Sequence, residues 1–192
     1  RLGQVALAPA AVEDCLCALR WVIRNAEEYG FDTERIVVTG YSAGGHLALT
    51  TGITPASAGL DRRCPGAEPL RVAAIVNWYG ITDVNDLLEG ANTRSYAVQW
   101  LGSLPDRDEV ARRVSPLTHV RGGLPPVLTI HGDADPVVPY THAVRLREAL
   151  SGAGVPNELH TVAGGGHGNF SVDEYEQVYE TVRQFLKEHV IE

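Results

Sequence analysis

The stretch Val72-Ala73-Ala74-Ile75-Val76-Asn77-Trp78-Tyr79 constrains this chain most. It is apolar on both faces, far shorter than the ~20 residues of a membrane span, and ends at a glycine. A strand of that kind needs cover on both sides, which helix layers over a parallel sheet supply. Three further short runs, Ile36 to Thr39, Pro126 to His131 and Asn157 to Val162, also read as strands.

Helical periods fill the intervals. The first helix opens at Pro9 and closes at Gly30, with Val12, Cys15, Leu16, Leu19, Val22, Ile23 and Ala26 on its apolar face. A second runs from after Ser42 to about Gly52, a third from about Tyr140 to Leu150, and a last one follows Ser171 and Asp173. Residues 53–70 read as a loop. Residues 81–122 hold only short helical pieces, around Val84–Leu88, Ser95–Leu101 and Arg107–Val114, broken by Gly90, Gly102, Pro105 and Pro116. They read as an insertion packed over the strand ends. The alternation predicts an α/β fold, a mostly parallel sheet with helices on both faces, whose functional residues gather at the strands' carboxyl ends.

A net charge of −8 gives no basic face for nucleic acid or anionic lipid. The cysteines are Cys15, Cys17 and Cys64. An odd count without C-x-x-C argues against a disulfide framework and a zinc site, so buried thiols are expected. No histidine set has metal-ligand spacing, so neither metal nor cofactor is expected. No membrane span or signal peptide is visible, and the compartment stays open. The chain begins with Arg1 and contains no methionine, which reads as a fragment of a longer chain.

Gly40-Tyr41-Ser42-Ala43-Gly44 joins a strand to a helix as G-x-S-x-G, a turn that projects a serine hydroxyl beside helix N-terminal amides. Alone the pentapeptide is a moderate signal. Asp135 follows a second strand and His167, in Gly164-Gly165-Gly166-His167-Gly168, follows a third. The order serine, acid, histidine brings a nucleophile, an orienting carboxylate and a general base to one sheet edge. Asp133 is expected to bond backbone amides in its turn, and Asp83 to cap a helix before Val84.

Gly40 to His46, the run His131-Gly132-Asp133-Ala134-Asp135-Pro136-Val137-Val138-Pro139, and Gly166-His167-Gly168 together resemble bacterial esterases and lipases of the α/β-hydrolase fold. The match is nearest to the feruloyl-esterase-like and carboxylesterase group and covers nearly the whole chain. It implies one three-layer α/β-hydrolase domain over residues 1–192, incomplete at its N-terminus. The family pattern H-G-x-x-D-x-x-V-P assigns the acid to Asp135. The resemblance implies a serine carboxylester hydrolase that acts through an acyl-enzyme on a small-molecule ester. Ser42 would be its nucleophile, His167 its base and the Ala43 amide one oxyanion donor. The family's second donor lies on an H-G-G loop, a tripeptide these 192 residues do not contain; it is expected before Arg1, leaving this stretch alone weakly active. Tyr41, Trp78, Tyr79, Val138 and Phe170 are expected around the substrate. His46 and His131 match structural positions of the family, and His119, His142, His160 and His189 carry no supporting motif. Two alternatives share the fold: a prolyl-oligopeptidase-type peptidase domain, marked by an upstream propeller, and a non-catalytic relative, which usually lacks a triad member. Dehalogenases and epoxide hydrolases place aspartate where Ser42 stands.

Overall fold

The structure is a computed structural model that describes residue 1 and residues 3–191. Four strands, β1 (Val37–Tyr41), β2 (Ala74–Trp78), β3 (Val127–Gly132) and β4 (Asn157–Val162), form a parallel sheet in the order β1-β2-β3-β4. Tyr41 pairs with Trp78, Trp78 with Ile130 and Ile130 with His160. The carboxyl ends therefore lie in one row, and the loops that follow leave the sheet on one side.

Each sheet face carries its own core. Ile75 and Val127 turn toward Leu19 of α1 (Ala10–Arg24), Leu49 and Ile53 of α3 (Ala43–Ile53), and Leu146 and Leu150 of α6 (Thr141–Gly152). Ala74, Val76, Trp78, Leu128 and Ile130 turn the other way, onto Val178 and Phe185 of α7 (Val172–Leu186). All five residues of β2 are buried, as its unbroken apolar run requires. The α7 helix opens with a capping box in which the Ser171 side chain and Glu174 satisfy each other's backbone amides.

The expected first helix is two. After α1 the chain breaks at Asn25, whose side-chain amide takes the Trp21 carbonyl at 2.7 Å; α2 (Ala26–Tyr29) then runs to a left-handed Gly30. An asparagine side chain that competes for a helical carbonyl is a common cause of such a break. Residues 81–122 contain α4 (Ser95–Leu101), α5 (Arg107–Arg113) and short 3₁₀ turns. Leu87, Leu101, Val110 and Val114 pack on Val12 and Leu16 of α1 and on Val138. Buried His142 of α6 fastens the start of this region: its Nδ1 accepts from the Thr82 amide at 3.1 Å and its Nε2 faces Asp86 Oδ2 at 3.2 Å. No helix among the described residues is long and apolar enough to cross a membrane.

The expectation of three free thiols is corrected. Cys17 and Cys64 form a disulfide, with Cα atoms 5.4 Å apart, and only Cys15 is free. An odd count leaves room for one pair, and only the packing of α1 on the 54–70 loop brings these two together. Buried Arg20 reinforces the junction, donating to the carbonyls of Gly66 and Glu68 at 2.9 and 3.0 Å and pairing with Asp61. The disulfide closes a separation of 47 residues. Removing a cross-link that spans such a loop costs about 4 kcal/mol in the chain-entropy description. Urea unfolding of the Cys17→Ser/Cys64→Ser variant is expected to show a loss of that order; a loss near zero would contradict a structural role.

Candidate active site

The turn after β1 is forced by a close backbone approach. Any Cβ on Gly40 would overlap the backbone of Gly44, and one on Gly45 would strike the Asn77 side chain and the Trp78 carbonyl. With those side chains absent, α3 starts directly over the ends of β1 and β2. Ser42 sits at the bend with φ 54° and ψ −117°, a conformation few non-glycine residues adopt. Its amide donates to the Trp78 carbonyl at 2.9 Å, and its own carbonyl accepts from His46 at 3.0 Å. The Ala43 amide opens the helix, where N–H groups lack intrahelical partners and the dipole is positive.

The structure brings Ser42, His167 and Asp135 into one hydrogen-bonded line. Ser42 Oγ is 2.8 Å from His167 Nε2, and His167 Nδ1 is 2.7 Å from Asp135 Oδ2. A carboxylate oxygen only accepts, so Nδ1 carries the proton and Nε2 presents its lone pair to the serine hydroxyl. That is the tautomer able to take the hydroxyl's proton. The Asp135 side chain is fully buried and that of His167 is one-fifth exposed.

Asp135 is gripped on every side. Oδ1 accepts from the amides of Val137 and Val138 at 2.7 and 3.0 Å, and Oδ2 faces His131 Nε2 at 3.1 Å as well as His167. His131 Nε2 also lies 3.1 Å from the Val138 carbonyl; with two acceptors before it, that nitrogen is the donor. Burial holds His131 below its ordinary pKa, which keeps the ring neutral. Its contact with the acid was missed in the sequence, although H-G-x-x-D carries the spacing. Asp133 reaches farther than its own turn, accepting from the Gly164 amide in the histidine loop at 2.6 Å. The Ala134 amide donates to the Gly165 carbonyl, so two bonds tie the acid loop to the histidine loop. Asp83 stands apart from this line: it pairs with Arg145 at 2.6 Å and accepts from the Asp86 amide.

The aromatic residues divide. The Tyr79 ring meets the His167 imidazole edge-on, centroids 4.7 Å apart, and Phe170 stands 6.1 Å beyond. Burial pushes the Tyr79 hydroxyl up to about 12, so it stays protonated. Trp78 and Val138 are buried in the core, and Tyr41 is about half exposed beside Trp78 and Tyr79. None of the five lines the apolar cavity of about 250 Å³ next to Ala43. Its walls come from Ala43 and Leu47 of α3, from Ile81 and Leu87, and from Tyr96 and Trp100 of α4. The α4 contribution was unreadable in a segment without a sustained period. Among the described residues, no group of three or more His, Cys, Asp or Glu side chains is placed to hold a metal ion.

A four-stranded parallel sheet between helices, with a strained serine turn and an acid–histidine pair at its carboxyl edge, defines the α/β-hydrolase fold. The BD-FAE family model matches residues 1–150, and the chain belongs to that family. It is 29% identical over 172 residues to esterase LipQ of Mycobacterium tuberculosis, an alignment covering 85% of this chain and 39% of LipQ. Esterase LipC of the same organism is 32% identical over 148 residues, 74% of this chain and 36% of LipC. The chain thus spans less than two-fifths of either relative. Among solved structures, a truncated carbohydrate esterase from gut microbiota superposes with a TM-score of 0.77 at 29% identity, covering 96% of this chain and 71% of that one. Butyrate-bound esterase 2 of Thermogutta terrifontis gives 0.73 at 33%, covering 92% and 64%.

His46, also on the cavity wall, donates through Nδ1 to the Ile81 carbonyl at 3.0 Å, while its buried Nε2 has no protein partner. Burial lowers its pKa from 6.5 to about 4. Between these values the unfolded chain takes a proton that the folded one refuses, so stability falls as pH drops through this window. At pH 5 the loss from this residue is about 2 kcal/mol relative to pH 7. Burial shifts His131 and His142 in the same direction. Urea unfolding at the two pH values is expected to show the decline, and His46→Asn, which retains a donor for Ile81, to reduce it by about that amount. An undiminished pH difference in the variant would refute the assignment.

Proposed function

We propose that the protein is a serine carboxylester hydrolase acting through an acyl-enzyme, with Ser42 as nucleophile, His167 as general base and acid, and Asp135 as the group that orients and stabilises the imidazolium. The observation that carries this reading is the unbroken contact from Asp135 Oδ2 through His167 to Ser42 Oγ, at 2.7 and 2.8 Å, beside the first amides of α3. His167 takes the hydroxyl proton as Oγ attacks the ester carbonyl and returns it to the departing alcohol. Water then repeats the sequence and releases the acid. The Ala43 N–H supplies one donor to the oxyanion. The names of the relatives, esterases in each case reported above, favour ester substrates over peptides.

We read residues 1–192 as one domain in which residues 81–122 form a cap over the strand ends. The cavity beneath α4 then receives one side of the ester. Its walls are mostly apolar, with Arg1 and His46 also among them, and its volume of about 250 Å³ exceeds the ~150 Å³ cavity that admits benzene. The substrate is therefore a small-molecule ester with an apolar group up to about ring size on one side. Tyr79 and Phe170 stand beside His167, where the other side of the ester emerges.

Hydrolysis of a nitrophenyl ester by the full-length protein, and labelling of its Ser42 by a fluorophosphonate, test the reading. Ser42→Ala is expected to abolish labelling and to lower kcat by about 10⁴-fold or more. Equal hydrolysis by the two proteins would sink the assignment.

A further inference from the structure

Among the described residues, the side-chain hydrogen bonds from the cap to the acid loop converge on a single peptide group, beside the apolar packing of Val138. Arg94, immediately before α4, donates from Nε to the Val137 carbonyl at 3.0 Å, and Tyr96, in the first turn of α4, donates its hydroxyl to the same oxygen at 3.2 Å. That carbonyl and the Val138 amide are the two ends of one planar unit. The Val138 amide is in turn 3.0 Å from Asp135 Oδ1. A donor on the oxygen therefore fixes the direction in which the N–H points, and a cationic donor polarises the unit and strengthens that N–H as a donor. Pro136 and Pro139 restrict the backbone on either side, which leaves the 137–138 peptide as the part of the loop the cap must orient. The Tyr96 hydroxyl, pushed up to about 12 by burial, stays a neutral donor throughout the working range. Its ring meanwhile forms part of the cavity wall.

We propose that Arg94 and Tyr96 are positioning residues that act through the Val137–Val138 peptide to hold Asp135 against His167, and that Tyr96 links this support to the group occupying the cavity. The proposal rests on reading Ser42, His167 and Asp135 as an esterase triad, but its own content is the coupling between the cap and the acid. The chain of contacts runs Arg94 and Tyr96, Val137 oxygen, Val138 amide, Asp135, His167, Ser42. An apolar group in the cavity presses on the Tyr96 ring and restrains the hydroxyl at the head of that chain.

Two conservative changes separate positioning from packing. Tyr96→Phe keeps the ring and removes the hydroxyl; Arg94→Lys keeps the charge and removes the planar Nε donor. In the double variant kcat for a nitrophenyl ester is expected to fall about tenfold, the equivalent of one lost hydrogen bond, with KM within about twofold. The acid limb of the kcat/KM profile should move to lower pH, because a less firmly held carboxylate stabilises the imidazolium less. A second measurement does not depend on turnover: the His167 Nδ1 proton, observed by NMR in the 15N-histidine-labelled protein, should shift upfield and exchange faster in the double variant. An unchanged Nδ1 resonance overturns the inference whether or not the wild type hydrolyses esters. An unchanged kcat and acid limb in a variant of an active wild type overturns it equally. A wild type that neither hydrolyses esters nor labels at Ser42, yet shows the NMR shift, overturns the esterase reading and leaves the coupling standing.

Discussion

Everything at the sheet's carboxyl edge depends on the contact between the start of α3 and the ends of β1 and β2. Gly40 and Gly45 bring two backbone segments to a separation that a Cβ at either position would forbid. The bend this imposes is concentrated in Ser42, whose positive φ is held by bonds to Trp78 and His46 rather than by its own preference. Strain of this kind persists only where surrounding structure over-determines it. Here the determinant is β2, buried along its whole length, whose carbonyl at Trp78 anchors the serine amide. The apolar strand that sets the fold class is thus also the fixture that aims the hydroxyl.

The rest of the site is a problem of holding one buried carboxylate still. Asp135 receives four N–H donors: two from its own loop, one from the strand below and one from His167. Its loop is tied on one side to the histidine loop through Asp133 and Ala134, and on the other to the cap through Val137. Burying a charge without such partners costs far more than any single bond returns. The number of ties on this loop follows from that cost.

Much of this was legible in the chain. Two of the strands were located by unbroken apolar runs, because strands buried on both faces leave that signal, as β2 and β3 do; β1 and β4 are only partly buried and carry a weaker one. Ser42, Asp135 and His167 could be brought together on paper because each follows a strand, and parallel strands place such loops on one edge. Other features had no local signature. The Cys17–Cys64 pair depends on where α1 packs. Arg94 reaches a carbonyl 43 residues away, and nothing in its neighbours marks it. The expected pocket residues illustrate a narrower limit. A run apolar on both faces does not say which face each ring takes, and Trp78 lies with the α7 core instead of in the cavity.

On the proposed reading, the 81–122 region is more than a passive cover. Three of the cavity's walls, α3, the turn after β2 and α4, come from segments that also orient the reacting line: Ala43 follows the serine, His46 bonds the Ile81 carbonyl, and Tyr96 bonds the acid loop. A change in the shape of this space therefore moves a group one or two bonds removed from Ser42 or Asp135. Packed interiors transmit such displacements because they have little free volume to absorb them. On the proposed ester chemistry, selectivity and rate would then be set by the same few side chains.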